Sequence, residues 1–198
     1  MIKAIIFDLD GTLIRLPIDY NKIQNMLREL FGTPENFTPL IATIIKKAQD
    51  DKVKISKAFE LICREELLSI DKMEIIDGAL NLLKDIQSQK IILSLITMQC
   101  KEAVTRILSK LNIGNNLFSI IISRDESYDR LDQIKKTVEK LFVSPNEVIV
   151  IGDRIHDIKS AQKVGCKSIL VNRKKTDINV ETTIVEKLID LDIIQIIS

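Results

Sequence analysis

The chain has 198 residues, enough for one domain or for one domain with a sizeable insertion. Its hydrophobic share of 45% supplies a core without disulfide or metal staples, and 29 basic against 28 acidic residues leave a formal net charge of +1. That balance, with aromatics at 4%, excludes the basic, aromatic-rich face of a nucleic-acid binder and gives no charge footprint for an anionic membrane.

Lys3–Phe7 reads as a first strand, a short apolar run of the kind buried in a parallel sheet. It ends in Asp8-Leu9-Asp10-Gly11-Thr12. Those carboxylates break the apolar run too early for a signal peptide, and no stretch reaches membrane-spanning length. Residues 21 to 70 change character. Asn21–Phe31, Thr38–Gln49 and Ser56–Leu68 each carry apolar residues at helical spacing, and Gly32-Thr33-Pro34 punctuates the first two. No strand is expected in that span, so it reads as a small all-helical insertion.

From Asp77 onward the pattern alternates. Helices are expected over Gly78–Gln89, Glu102–Leu111, Leu131–Phe142 and Ile155–Val164. Strands are expected over Lys90–Thr97, Phe118–Ser123, Glu147–Ile151 and Lys167–Val171, then a weak strand at Thr182–Val185 and a last helix at Leu188–Ile196. Alternation of this kind implies right-handed βαβ units: an α/β fold, a doubly wound parallel sheet with helices on both faces. The expected division is an α/β core of residues 1–14 and 76–198, with a helical cap of residues 15–75 inserted after the first strand.

Four strand ends then carry polar groups in turn: Asp8 and Asp10, Thr97, Arg130 after a short loop, and Gly152-Asp153-Arg154-Ile155-His156-Asp157. In a parallel sheet these ends share one edge, where ligands of open α/β folds bind. Clustered acids there are costly unless a cation, a proton or hydrogen bonds compensate them. The pattern points to chemistry on a metal-bound anion.

With these residues in place, the chain resembles the haloacid dehalogenase superfamily, in its phosphatase branch with a small helical cap, similar to phosphoglycolate phosphatases. Asp8-Leu9-Asp10-Gly11-Thr12-Leu13 matches that family's first signature at every fixed position, and Gly152-Asp153 followed by Asp157 matches the fourth. The resemblance implies a doubly wound, Rossmann-like core and a Mg²⁺-dependent phosphatase acting through an aspartyl-phosphate. Asp8 is then the nucleophile, and Asp10 the general acid and later the base. The Mg²⁺ is held by Asp8, Asp153 and the backbone carbonyl of Asp10, with Asp157 on a metal-bound water or bracing the ligands. Relatives that dehalogenate carbon do not use the second aspartate, so the match implies phosphoryl transfer.

The resemblance further gives Thr97 to a phosphate oxygen, with Met98 beside it in place of the usual asparagine. Arg130 stands where the family usually has lysine; Arg124, Lys135 and Lys136 are the alternatives. Gly11 and Thr12 bring the backbone close to the phosphate. The implied partner is a small phosphorylated metabolite, with a sugar phosphomutase or a non-catalytic binding protein of the same fold as alternatives.

Other residues read more plainly. His156 is a solvated loop side chain or a neighbour of the pocket with no proton role, and Lys46-Lys47 and Lys174-Lys175 are solvated faces. Arg15 and Asp19 are substrate contacts, hinge residues or surface residues. Cys63, Cys100 and Cys166 are odd in number and far apart, so they read as unpaired thiols in a reducing, cytoplasmic setting.

Overall fold

The N-terminal apolar run folds as β1 (Ala4–Asp8), buried along its whole length. The chain continues with β2 (Ile14–Arg15), the helices α1 (Tyr20–Phe31), α2 (Leu40–Ala48) and α3 (Lys52–Ser69), and β3 (Glu74–Ile75). Alternation follows: α4 (Ala79–Ser88), β4 (Ile92–Ile96), α5 (Lys101–Lys110), β5 (Phe118–Ile122), α6 (Arg130–Leu141), β6 (Val148–Gly152), α7 (Ile155–Val164), β7 (Lys167–Val171) and β8 (Thr183–Val185). The computed structural model describes residues 1–114, 116–171, 181–192 and 196.

Six strands form one parallel sheet in the order β5-β4-β1-β6-β7-β8. Successive residues of a strand face opposite sides, and the core divides accordingly. Ile5, Phe7, Leu93, Leu95, Ile149 and Ile151 pack with residues of α4 and α5. Ala4, Ile6, Ile96, Val148 and Val150 pack with Ile134 and Val138 of α6 and Ala161 of α7. The sheet is therefore covered on both faces, as a doubly wound fold requires.

The three helices α1–α3 share a separate apolar cluster of Ile23, Leu27, Phe37, Ile44, Ala58 and Ile62. They run between two short strands, β2 and β3, which pair antiparallel as Ile14↔Ile75 and Arg15↔Glu74. The chain thus enters and leaves the helices side by side. Strands of two residues carry no alternation to read, and the sequence pattern predicts neither. Helix α3 starts four residues ahead of the expected Ser56, because Asp51 caps it by accepting the Lys54 N–H at 3.0 Å. Helix α1 stops at Gly32, which takes the left-handed conformation at φ 62°.

Two expectations are corrected. In place of a helix from Leu188, Leu188–Asp190 make a single 3₁₀ turn. Leu188 and Leu191 are drawn into the core face beside α4, which fixes this segment by burial rather than by helical propagation. Residues 193–195 of that expected helix lie outside the described residues, as do Lys174 and Lys175. The second correction concerns the thiols. Cys63 on α3 and Cys100 before α5 form a disulfide with Cα atoms 5.6 Å apart. The two sit 37 residues apart in a chain with no cysteine framework, and only the packing of α3 against α5 brings them together. Cys166 is free and buried, and burial pushes its thiol up to about 11.

Candidate active site

The site is built at the carboxyl edge of the sheet, where β1 lies between β4 and β6. Register Phe7↔Ile151 places the loop after β1 beside the loop after β6. The first loop turns tightly: Gly11 donates to Ile14 O at 2.8 Å with φ +93°, a conformation that favours glycine. A Cβ on Gly11 would stand 2.2 Å from Asp153 Oδ2. The glycine therefore makes room for the carboxylate of the other loop. Gly152 does the same for Asp157, whose Oδ2 would be 2.5 Å from an added Cβ.

Asp8, Asp153 and Asp157 each offer an oxygen, and the three atoms lie within 4.8 Å of one another. Asp8 and Asp157 are buried, and the buried Asp153 Oδ1 has no hydrogen-bond partner. An unsatisfied carboxylate oxygen among two further buried acids needs a cation. The set is all oxygen and suits a hard ion such as Mg²⁺. Burial raises the Asp8 carboxyl to about 8, with Asp157 and Asp153 adding to the rise and the Arg130 guanidinium opposing it.

Asp10 points elsewhere. Its Oδ1 accepts the Leu16 N–H at 2.9 Å, and burial is the main cause that raises its carboxyl. Thr12 is fully buried, with its hydroxyl 3.5 Å from Asp8 Oδ2. Arg130, at the start of α6, reaches the acids from the third loop. Its Nη2 donates to Asp8 Oδ1 at 2.6 Å, and its Nε lies 2.9 Å from Asp157 Oδ1. Asp129 caps α6 and fixes where that arginine starts. Among the alternatives, Lys136 pairs with Asp132, Lys135 is exposed and Arg124 is engaged elsewhere.

Thr97, the first residue after β4, is fully buried, and its hydroxyl donates to the Gln99 carboxamide. Gln133 ties this loop to the third one: it donates to Thr97 O and Ser127 O, both at 2.8 Å, and accepts from Arg130 Nη1 at 3.0 Å. The carbonyl of Met98 accepts from Arg124 Nη1 at 2.5 Å. His156 is exposed at the rim. Arg15 pairs with Glu74 on the two-stranded ribbon at 3.8 Å, and Asp19 caps α1 through Lys22 N at 3.0 Å. Both therefore have structural partners.

Glu66 on α3 takes Arg124 in a two-pronged pair at 2.6 and 3.2 Å, with side-chain exposures of 3% and 1%. Its Oε2 also accepts the Cys100 N–H at 2.9 Å, and Arg124 stacks on Phe59 at 5.2 Å. In the sequence Glu66 follows Arg64 and Glu65 and looks like one more solvated charge.

A cavity of about 440 Å³ lies over Asp8, between these loops and the helices α1–α3. A haloacid dehalogenase-like hydrolase family model matches residues 5–171. The chain belongs to that family. It is therefore a hydrolase.

Relatives of this haloacid dehalogenase-like hydrolase include a phosphoglycolate phosphatase of Chromobacterium violaceum, 24% identical over 86% of this chain and 85% of the relative. A pyrophosphatase PpaX of Bacillus mycoides is 23% identical over 86% of this chain and 84% of its own length. In fold, the chain is similar to a haloacid dehalogenase hydrolase from Entamoeba histolytica, with TM-score 0.75, 23% identity and coverage of 99% and 98%.

Proposed function

We propose that the chain is a Mg²⁺-dependent phosphatase of small soluble phosphomonoesters, working through an aspartyl-phosphate. The observation that carries this is the meeting of Asp8, Asp153 and Asp157 around a buried unpartnered oxygen, with Arg130 laid against Asp8. The relatives named for phosphoglycolate and pyrophosphate hydrolysis support the same reaction class.

Asp8, Asp153 and the Asp10 carbonyl would hold Mg²⁺, which would supply the positive charge that lets a carboxylate meet an anionic phosphate. An oxygen of Asp8 attacks phosphorus, and the bond to the ester oxygen breaks. Asp10 gives its proton to the departing alkoxide, a role that fits its raised carboxyl. It then takes a proton from the water that attacks phosphorus, and Asp8 leaves as carboxylate with inorganic phosphate as product. Arg130 orients Asp8 and offsets charge on the phosphoryl oxygens. Thr97 gives its hydroxyl to one of those oxygens by releasing Gln99, and the backbone at Gly11, Thr12 and Met98 lines the phosphate's approach. Asp157 holds Arg130 and the Arg154 N–H.

Helices α1–α3, within residues 15–75, act as the cap that keeps water from the first step. The carboxylate that α3 brings to the cavity, Glu66, is already committed to Arg124. That leaves it unfit for the proton transfers of a phosphomutase. We keep the cytoplasm as the setting; a reducing compartment would hold Cys63 and Cys100 as two thiols.

The test is phosphate release from a broad panel of phosphomonoesters with Mg²⁺. Asp8→Asn abolishes release, and Asp10→Asn lowers kcat by about 10² to 10⁴. Undiminished turnover in Asp8→Asn overturns the reading.

A further inference from the structure

The chamber over Asp8 has two unlike ends. Its floor is the carboxylate cluster with Arg130. Its ceiling is apolar, with Ile23 from α1, Leu40 and Ile41 from the first turn of α2, and Ile62 from α3. A phosphate seated on the floor would point its alcohol at that ceiling.

Charge within the chamber is already balanced. Arg130 is held by Asp8 and Asp157, and Arg124 by Glu66. Among the described residues lining it, Arg154 alone is an arginine outside such an ion pair, and it sits exposed at the mouth. A carboxylate or second phosphate pushed against the ceiling would lose its water there, away from Arg154 at the mouth, which is strongly unfavourable. An apolar group there loses nothing and covers the isoleucines. The volume of about 440 Å³ also exceeds what a two-carbon ester would fill.

We propose, resting on the phosphatase reading above, that the substrate is the phosphomonoester of an apolar, uncharged alcohol. Leu40, Ile41 and Ile62 select it. Small esters that carry a carboxylate or a second phosphate are the poorer substrates. Discrimination by an apolar wall is modest, about 10- to 200-fold for each methylene gained at best.

Three esters with nearly equal leaving groups test this: hexyl phosphate, 6-hydroxyhexyl phosphate and 6-phosphooxyhexanoate. The expected kcat/KM falls in that order, by about tenfold or more between the first and the last. Ethyl phosphate should be about tenfold poorer than hexyl phosphate. In Ile41→Gln and, separately, Leu40→Gln, the ratio of hexyl phosphate to 6-phosphooxyhexanoate should drop at least about fivefold. This ratio is taken within one preparation, so any loss of folded protein cancels. A flat or reversed series, with 6-phosphooxyhexanoate or phosphoglycolate preferred, overturns the proposal and points to Arg154 as an anion receptor. That result leaves the phosphatase reading standing, whereas no release from any ester in the broad panel overturns both.

Discussion

Arg130 reaches Asp8 with one nitrogen and Asp157 with another, while a third donates to Gln133. Only a planar, forked cation spans three acceptors in this way; a lysine is a single point charge. The buried acids beside it set a pH response. Folded Asp8 keeps its proton to about pH 8, chiefly through burial, whereas its ordinary value is 3.8. Between those values the folded chain binds more protons than the unfolded one, so stability without metal falls as pH rises through that window. Mg²⁺ must displace the proton, so its stabilising effect grows with pH. Thermal melts at pH 5 and pH 8 should show a larger Mg²⁺-induced rise in Tm at pH 8, and Asp8→Asn should remove most of the difference. Equal rises at both pH values would sink this account.

Gly11 and Gly32 make a second comparison at the same scale. Both have positive φ, yet only at Gly11 would a Cβ strike a carboxylate, at 2.2 Å. Gly32→Ala meets nothing within 4 Å and should cost only about 1–2 kcal/mol of backbone strain. Gly11→Ala should displace Asp153 and abolish the Mg²⁺-dependent rise in Tm, as read by the same melts. The acids at positions 8, 10, 153 and 157 were legible in the sequence because each follows a strand within a few residues. Gln133 and Glu66 were not, since their partners Thr97 and Arg124 lie 36 and 58 residues away and only tertiary packing names them.

At the scale of elements, α3 is the member that ties the helical insertion to the sheet. Its periodicity was readable, but its attachment was not. The Glu66–Arg124 pair is fully buried, so removing one partner strands the other charge. Glu66→Ala should cost about 3–5 kcal/mol in urea unfolding, and adding Arg124→Met to Glu66→Leu should recover most of that loss. A double variant as unstable as Glu66→Ala would show that the charges themselves, not their isolation, matter. The ribbon of β2 and β3 escaped the sequence for a simpler reason: two residues are too few to show a period. The same shortness is why Leu188 misleads. An apolar run there fits a helix as well as a buried turn, and burial beside α4 decides.

For the whole molecule, the alternation of strands and helices sufficed to give a parallel sheet covered on both faces. The strand order was not written in it. That order puts β1 in the middle, next to β6, although 139 residues lie between Asp8, the end of β1, and Val148, the start of β6. Neighbouring strands with polar carboxyl ends are what bring acids from the first and last thirds of the chain within 4.8 Å of one another, so the site is a product of topology as much as of motif.

The Cys63–Cys100 bond closes a covalent ring that includes β3, α4 and β4. Lys72 and Lys90 lie inside the ring and are exposed. A single tryptic nick after either one opens the backbone without parting the fragments. The nicked chain should run as one full-length band on a non-reducing gel and as two bands once thiol reagent is added. Two bands before reduction would mean that the ring does not exist in solution.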